Sequence, residues 1–277
     1  MLEIGKYNYL TVVKEVPFGM YLESDQGEIL LPTNYIPVGT EVGDEIKVFV
    51  YKDSEDRLIA TNWIPKATVG EFACLMVKDV NEYGAFMDWG LVKDLMVPYK
   101  EQHIPMKKGQ EYVVRVCLDP KNDRIIGVSK LAAFLSKDAS ELSEGQEVDL
   151  MIYEFTDLGI MALVNNKFKG MLYKNEVFSQ LKVGQKLKGY IKKIREDHKI
   201  DLTLYKTGYD SVLDSKDVIL NKIKLKGGFL RLTDNSSPEE IKSELEMSKK
   251  TYKKAVGGLL KEGLIELSPE GIKLKKG

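Results

Sequence analysis

Tyr83-Gly84-Ala85-Phe86 sets aromatic rings on both sides of a glycine, and Arg124 follows a later turn, Asp119-Pro120-Lys121-Asn122-Asp123. Rings offer flat surfaces on which an unpaired base can stack, and a guanidinium can meet a phosphate. A second group is cationic without rings: Lys192, Lys193, Arg195 and Lys199, with Lys186 and Lys188 just before them. A third, Lys249, Lys250, Lys253 and Lys254, opens a segment of helical periodicity, where the positive end of the helix dipole adds to their field. Lysine is a point charge that suits phosphates better than base edges. A single surface lysine is ordinarily solvated, and one ring of such a pair is as readily core as ligand contact, so it is the grouping that points to polyanion binding.

The elements that must position these groups repeat. Gly5, Gly19 and Gly43, then Gly70, Gly84 and Gly109, then Gly145, Gly159 and Gly184 mark three similar segments. In the second, the alternation predicts strands over 71–80, 85–88, 94–98, 111–119 and 124–129, with turns at 81–84 and 119–123. Five short strands in a segment of about 60 residues point to a five-stranded Greek-key barrel, the OB-fold, whose second and third strands face an oligonucleotide. Residues three apart on an ideal strand point to opposite faces, so Tyr83 and Phe86 can share a ligand only if a bulge or turn at Gly84 reorients one of them.

From about Tyr209 the period lengthens to that of helices. One helix is expected over 215–226 with Val218, Ile219, Ile223 and Leu225 inward, ended by Gly227-Gly228. A second starts at Ser237-Pro238, and Ser248 caps a third over 249–262, with Tyr252, Ala255, Val256, Leu259 and Leu260 on one face. A hairpin over 264–274 completes the order of a winged helix, with the third helix in the recognition position. The expected fold is therefore mostly β and multidomain: barrels over 1–62, 63–130 and 145–208, a linker over 131–144 that reads as a spacer with some freedom, and an α+β winged-helix domain over 209–277.

The formal net charge of -1 hides a gradient. Residues 1–62 hold five basic side chains against eleven acidic ones, residues 145–209 eleven against eight, and residues 210–277 fourteen against eleven. A polyanion is thus expected mainly on the C-terminal half, and the rings Phe18 and Tyr21 of the acidic first segment could instead face a neighbouring barrel or a protein. Cys74 and Cys117 have no zinc or disulfide spacing and read as reduced core thiols, and His103 and His198 lie apart from any ligand set. No run is apolar enough to span a bilayer and no secretory leader is evident, so the expected compartment is the cytosol, with no membrane partner. Without a carboxylate cluster, a positioned His pair or a phosphate-binding loop, neither enzymatic activity nor a metal or other cofactor is expected.

With the repeats aligned, the chain resembles the S1 RNA-binding domain, whose signature of aromatic, glycine, any residue, aromatic is carried by Phe18-Gly19-Met20-Tyr21 and Tyr83-Gly84-Ala85-Phe86. Three such segments ending in a winged helix resemble the CvfB family of bacterial RNA-binding regulators. That resemblance implies an aspartate and an arginine around the last turn, matched by Asp53 with Arg57 and Asp119 with Arg124. In the third segment those positions read Arg195 and Lys199, the rings are replaced by Leu158 and Met161, and Tyr173 falls where many members place a histidine. The resemblance implies a post-transcriptional regulator, and the residues place single-stranded RNA on the second and third barrels together with the winged helix. The sequence also fits a transcription regulator whose winged helix reads duplex DNA while the barrels bind protein, or an adaptor on ribosomes or other RNA machinery.

Overall fold

The computed structural model describes residues 1–177, 179–205 and 209–275. The expected boundary at 208/209 falls at the edge of that range, with residues 206–208 outside it. Strands β1 (Tyr7–Val16), β2 (Gly19–Leu22), β3 (Ile29–Pro32), β4 (Glu45–Lys52) and β5 (Leu58–Thr61) close into a first barrel. A second is formed by β6 (Phe72–Asn81), β7 (Gly84–Asp88), β8 (Leu95–Pro98), β9 (Glu111–Leu118) and β10 (Ile125–Val128). A third is formed by β11 (Glu147–Phe155), β12 (Gly159–Val164), β13 (Phe168–Tyr173), β14 (Lys186–Ile194) and β15 (Ile200–Thr203). All three run in the same circular order, in which the first strand pairs with the second and fourth, and the third pairs parallel with the fifth.

The repeated glycines explain why the barrels are copies. Gly19, Gly84 and Gly159 each begin the second strand, and a Cβ at any of them would fall under 3.0 Å from the Leu31, Val97 or Leu172 carbonyl oxygen. Only a residue without a side chain lets the third strand pass that close. Two to three residues along the second strand from each glycine, opposite Tyr21/Leu22, Phe86/Met87 and Met161/Ala162, the first strand of every barrel carries an irregularity, at Val12/Lys14, Val77/Asp79 and Ile152/Glu154. The bulge expected at Gly84 thus sits on the partner strand, opposite Phe86 and Met87, while Gly84 opens β7 paired with Asn81.

The chain divides into two compact units, Met1–Leu135 and Ser136–Gly277. In the first unit the two barrels share packing: Phe49 of β4 meets Trp89 edge to face at 5.8 Å, and Phe49 and Tyr51 belong to the same buried cluster as Leu75, Met87 and Leu95. The Val69 amide donates to the Gly5 carbonyl at 2.9 Å, which ties the start of the second barrel to the start of the first. In the second unit the polar run after Leu135 is no free spacer. Ser136 donates its amide to Lys167, and Ala139 and Leu142 are buried in the core of the third barrel with Leu150 and Phe168. Those two apolar side chains outweigh the polar composition around them, because burying them removes surface from water while Lys137, Asp138 and Ser140 stay outside.

The winged-helix domain contains α1 (Tyr209–Leu225), β16 (Phe229–Leu230), α2 (Pro238–Leu245), α3 (Lys249–Lys261), β17 (Ile265–Ser268) and β18 (Gly271–Leu274), with sheet order β16-β18-β17. Ser237 and Glu240 form a reciprocal capping box on α2, and Ser248 accepts from the Thr251 amide at the start of α3. Ile219, Ile223, Ile241, Leu245, Tyr252, Ala255, Val256 and Leu259 make the core, but Val218, Leu225 and Leu260, expected inward, are exposed. The 3.6-residue repeat that aims 219 and 223 at the core rotates 218 and 225 outward, and 260 sits on the flank of the stripe centred on 252, 255, 256 and 259.

Candidate nucleic-acid interface

The aromatic pairs are assembled by the hairpin between the first and second strands. Phe18 and Tyr83 lie in the turn, 57% and 65% exposed, so they are free of the strict alternation that governs strand residues. Tyr21 and Phe86 lie on β2 and β7, half-buried on the outer face, while Ala85 and Met87 of β7 point into the core. In the first barrel the two rings meet edge to face at 6.5 Å. A turn ring and a strand ring can therefore address one ligand with no bulge on the ring-bearing strand, and each is too exposed to be core.

Across the bulge, the residue paired with the strand ring differs between barrels. Lys14 faces Tyr21 and holds its ammonium 5.6 Å from the ring centroid, whereas Asp79 faces Phe86 and pairs with Lys108 at 3.4 Å. The last-turn arginines differ more. Arg57 donates from Nε to Asp53 Oδ2 at 2.9 Å, within the turn where the Asp53 amide also bonds the Arg57 carbonyl. Burial pushes the Asp53 carboxyl up, but the hydrogen bonds from Arg57 and from the Arg57 and Glu55 amides outweigh it and hold the group below the usual carboxylate range.

Arg124, the cation expected to serve the Tyr83 and Phe86 pair, instead crosses to the first barrel. Its Nε and Nη2 donate to both oxygens of Asp56 at 2.6 and 2.5 Å. Around this tie Lys93 donates to the Lys52 and Asp53 carbonyls at 3.0 and 2.7 Å, and Lys52 donates to the Asn122 carbonyl at 2.7 Å. The fork of Arg124 comes first among the influences that hold Asp56 below the usual carboxylate range. Lys93 is pushed down from the ordinary lysine range, first by burial and then by Arg124.

In the third barrel, Tyr173 pairs with Gly159 across β12 and β13, and its hydroxyl donates to Asp201 Oδ1 at 3.3 Å. Arg195 donates to the other Asp201 oxygen at 3.0 Å and to the Tyr173 hydroxyl. Asp201 is buried and these bonds satisfy it, so Tyr173 and Arg195 form one preorganised group whose guanidinium lies partly over the ring, 5.9 Å from its centroid. The Arg195 amide bonds the Lys199 carbonyl just as the Asp53 amide bonds that of Arg57, which places Arg195 and Lys199 at the positions that Asp53 and Arg57 hold in the first barrel.

The remaining cations are unequal. Lys192 pairs with Glu176, Lys199 with Asp197 at 2.7 Å, Lys188 with Asp149 at 2.8 Å and Lys253 with Asp234 at 3.6 Å. Lys193, Lys250 and Lys254 are exposed, Lys249 is half-buried, and none of these four has an ion-pair partner among the described residues. Sequence reasoning matched Arg57 with Asp53 at the last turn but left it out of the site, and it passed over Lys14, which with Arg57 completes the ring pair of the first barrel, and Tyr99, whose amide bonds the Tyr83 carbonyl at 3.3 Å and whose side chain is exposed. The signal for Arg57 was present in its spacing from Asp53, but the acidic count of the whole segment hid it. Among the described residues no group of three or more His, Cys, Asp and Glu could hold a metal ion. Burial pushes the Cys74 thiol up to about 11, and both cysteines are free. No helix is long and apolar enough to cross a membrane.

Residues 4–62, the first barrel, match the S1 domain family, and residues 217–274 match the CvfB-like winged helix domain. Neither is an enzyme family. The uncharacterized protein YitL of Bacillus subtilis is 27% identical over 274 residues, covering 94% of this chain and 90% of that protein. Conserved virulence factor B of Staphylococcus epidermidis is 23% identical over 282 residues, covering 99% and 93%. A crystal structure of a multidomain protein with nucleic acid binding domains from Streptococcus pneumoniae aligns over 98% of both chains at 25% identity, with a TM-score of 0.47.

Proposed function

We propose that this chain, whose first barrel matches the S1 domain family and whose C-terminal domain matches the CvfB-like winged helix domain, is a non-enzymatic binder of single-stranded RNA that acts after transcription. The second and third barrels and the winged helix carry the binding. Tyr83 and Phe86 stack bases, the Tyr173 and Arg195 group offers a ring backed by a fixed cation, and Lys193, Lys250 and Lys254 meet phosphates. Phe18 and Tyr21 add a further stacking site beside Lys14 and Arg57.

The observation that carries this reading is the 65% exposure of Tyr83 at a hairpin turn. A tyrosine there contributes little to packing, but it presents a π-face on which an unpaired base can stack. The all-lysine charge of α3 supports contact with a backbone more than readout of a major groove, where arginine and asparagine do most of the work.

The test is competition binding of the full chain with single-stranded RNA and duplex DNA over a range of salt. Single-stranded RNA is expected to win, with affinity falling as salt rises and Tyr83→Ala losing affinity for RNA alone. A preference for duplex DNA unaffected by Tyr83→Ala would replace this reading with that of a DNA-binding regulator.

A further inference from the structure

Two glycines lie side by side inside α3, and the fold accounts for one of them. A Cβ on Gly258 would fall under 3.0 Å from Cε of Lys216, a buried side chain of α1 that crosses beneath α3 to pair with Glu262 at 2.5 Å. Gly258 thus leaves room for the Lys216 side chain, whose flexible end would have to shift to admit a methyl group. Gly257 has no heavy atom within 4 Å of where its Cβ would be, it is exposed, and its backbone is not in the left-handed region. Alanine would fit there and would favour the helix, because glycine loses more backbone freedom on folding. Neither packing nor backbone geometry calls for glycine at 257.

Its surroundings do. At 3.6 residues per turn, Lys250, Lys253, Lys254 and Lys261 all project within about 60° of the direction of Gly257. The buried residues Tyr252, Ala255, Val256 and Leu259 lie on the opposite side. The outer face of α3 is thus a row of cations with one place where the main chain itself is uncovered, and α3 contains no acidic residue. Between Lys250 and Lys261 the row runs about 16 Å along the axis, at about 1.5 Å per residue.

We propose that Gly257 is the seat of the ligand's sugar–phosphate backbone on the winged helix. Lys254 and Lys261, with Lys253 on exchanging Asp234 for a phosphate, grip phosphates around it, and the absence of a side chain lets the strand lie against the α3 main chain. The inference rests on the single-stranded RNA reading and adds to it the residue that sets how closely the strand approaches. A methyl group at 257 would lift the strand away from three ammonium groups at once, which weakens each interaction through distance. Lys261, absent from the lysines singled out in the sequence, becomes part of the site.

The test uses the full chain with a fluorescent oligouridine, comparing the parent, Gly257→Ala, and the double substitution Lys254→Gln with Lys261→Gln. Each is measured for affinity across salt and for thermal melting. Gly257→Ala is expected to melt at a higher temperature than the parent yet bind at least about 5-fold more weakly, a combination that a merely structural glycine would not produce. The double substitution is expected to flatten the plot of log affinity against log salt by about 0.7 for each phosphate it no longer neutralises. Equal or tighter binding by Gly257→Ala, with the lysine variant weakened, overturns this proposal and leaves the RNA reading standing. Failure of the parent to bind oligouridine overturns both.

Discussion

The first and second barrels share strand order, bulge register and the glycine at the hairpin, yet they use the arginine of the last turn in different ways. Arg57 folds back on Asp53 of its own turn, beside Tyr21, whereas Arg124 leaves its barrel to grip Asp56 of the first. What makes the barrel is thus separable from what makes the site. The barrel depends on short-range backbone geometry, and the site depends on which carboxylate a long side chain reaches.

The shared part is the easiest to break. Gly19→Ala and Gly84→Ala each force a Cβ into a carbonyl oxygen of the neighbouring strand, at Leu31 and Val97. Overpacking against backbone that cannot rotate away is expected to lower stability by about 3 kcal/mol in either barrel. Urea denaturation of the two variants should give similar losses. A loss in one barrel only would mean that the two hairpins are not equivalent.

This explains which features the sequence made legible. Glycine positions, strand alternation and helix caps are local, and the expected strand at 111–119 appears as Glu111–Leu118 and the cap at Ser248 as drawn. The winged helix was readable for the same reason, because Ser237-Pro238-Glu239-Glu240 contains its whole capping box. Long-range choices were not readable. Asp56 is 68 residues from Arg124, and nothing near either residue announces the other, so Arg124 was paired in expectation with the rings of its own barrel. Residues 136–142 misled in another way: their polar majority suggested a spacer, but two apolar side chains at the right separation were enough to dock them on the third barrel.

The second way to probe the comparison is through the rings. Phe18 and Tyr83 occupy the same turn position and are both exposed, but the first barrel is the acidic one. Removing a stacked ring costs about 1–3 kcal/mol per base, so Tyr83→Ala is expected to weaken single-stranded RNA binding by about 10-fold. Phe18→Ala should cost less, because the carboxylates around its barrel keep the strand farther away on average. Filter binding of the two variants at one salt concentration decides it. A larger loss for Phe18→Ala would show that the assembled group of Phe18, Tyr21, Lys14 and Arg57 outweighs the acidic surface, and would move the main stacking site to the first barrel.

The smallest effect bears on the difference itself. Asp56→Asn keeps the shape of the turn but removes the charge that holds Arg124, and that attracts Lys93 and Lys52, at the seam between the first two barrels. If Arg124 is withheld from RNA by this carboxylate, freeing it should tighten RNA binding a few-fold and steepen the plot of log affinity against log salt by about 0.7, the value of one further neutralised phosphate on a single strand. Acid should act in the same direction on the tie. The folded pKa of Asp56 is depressed, so the stability it contributes is present above the unfolded carboxylate value of about 3.9 and is lost as pH falls through the lower folded value. Melting temperature should therefore become less sensitive to pH below about 4 in Asp56→Asn than in the parent. Unchanged RNA affinity together with that altered acid response would make Arg124 a strut between barrels and nothing more, and the contrast with Arg57 would then be one of architecture alone.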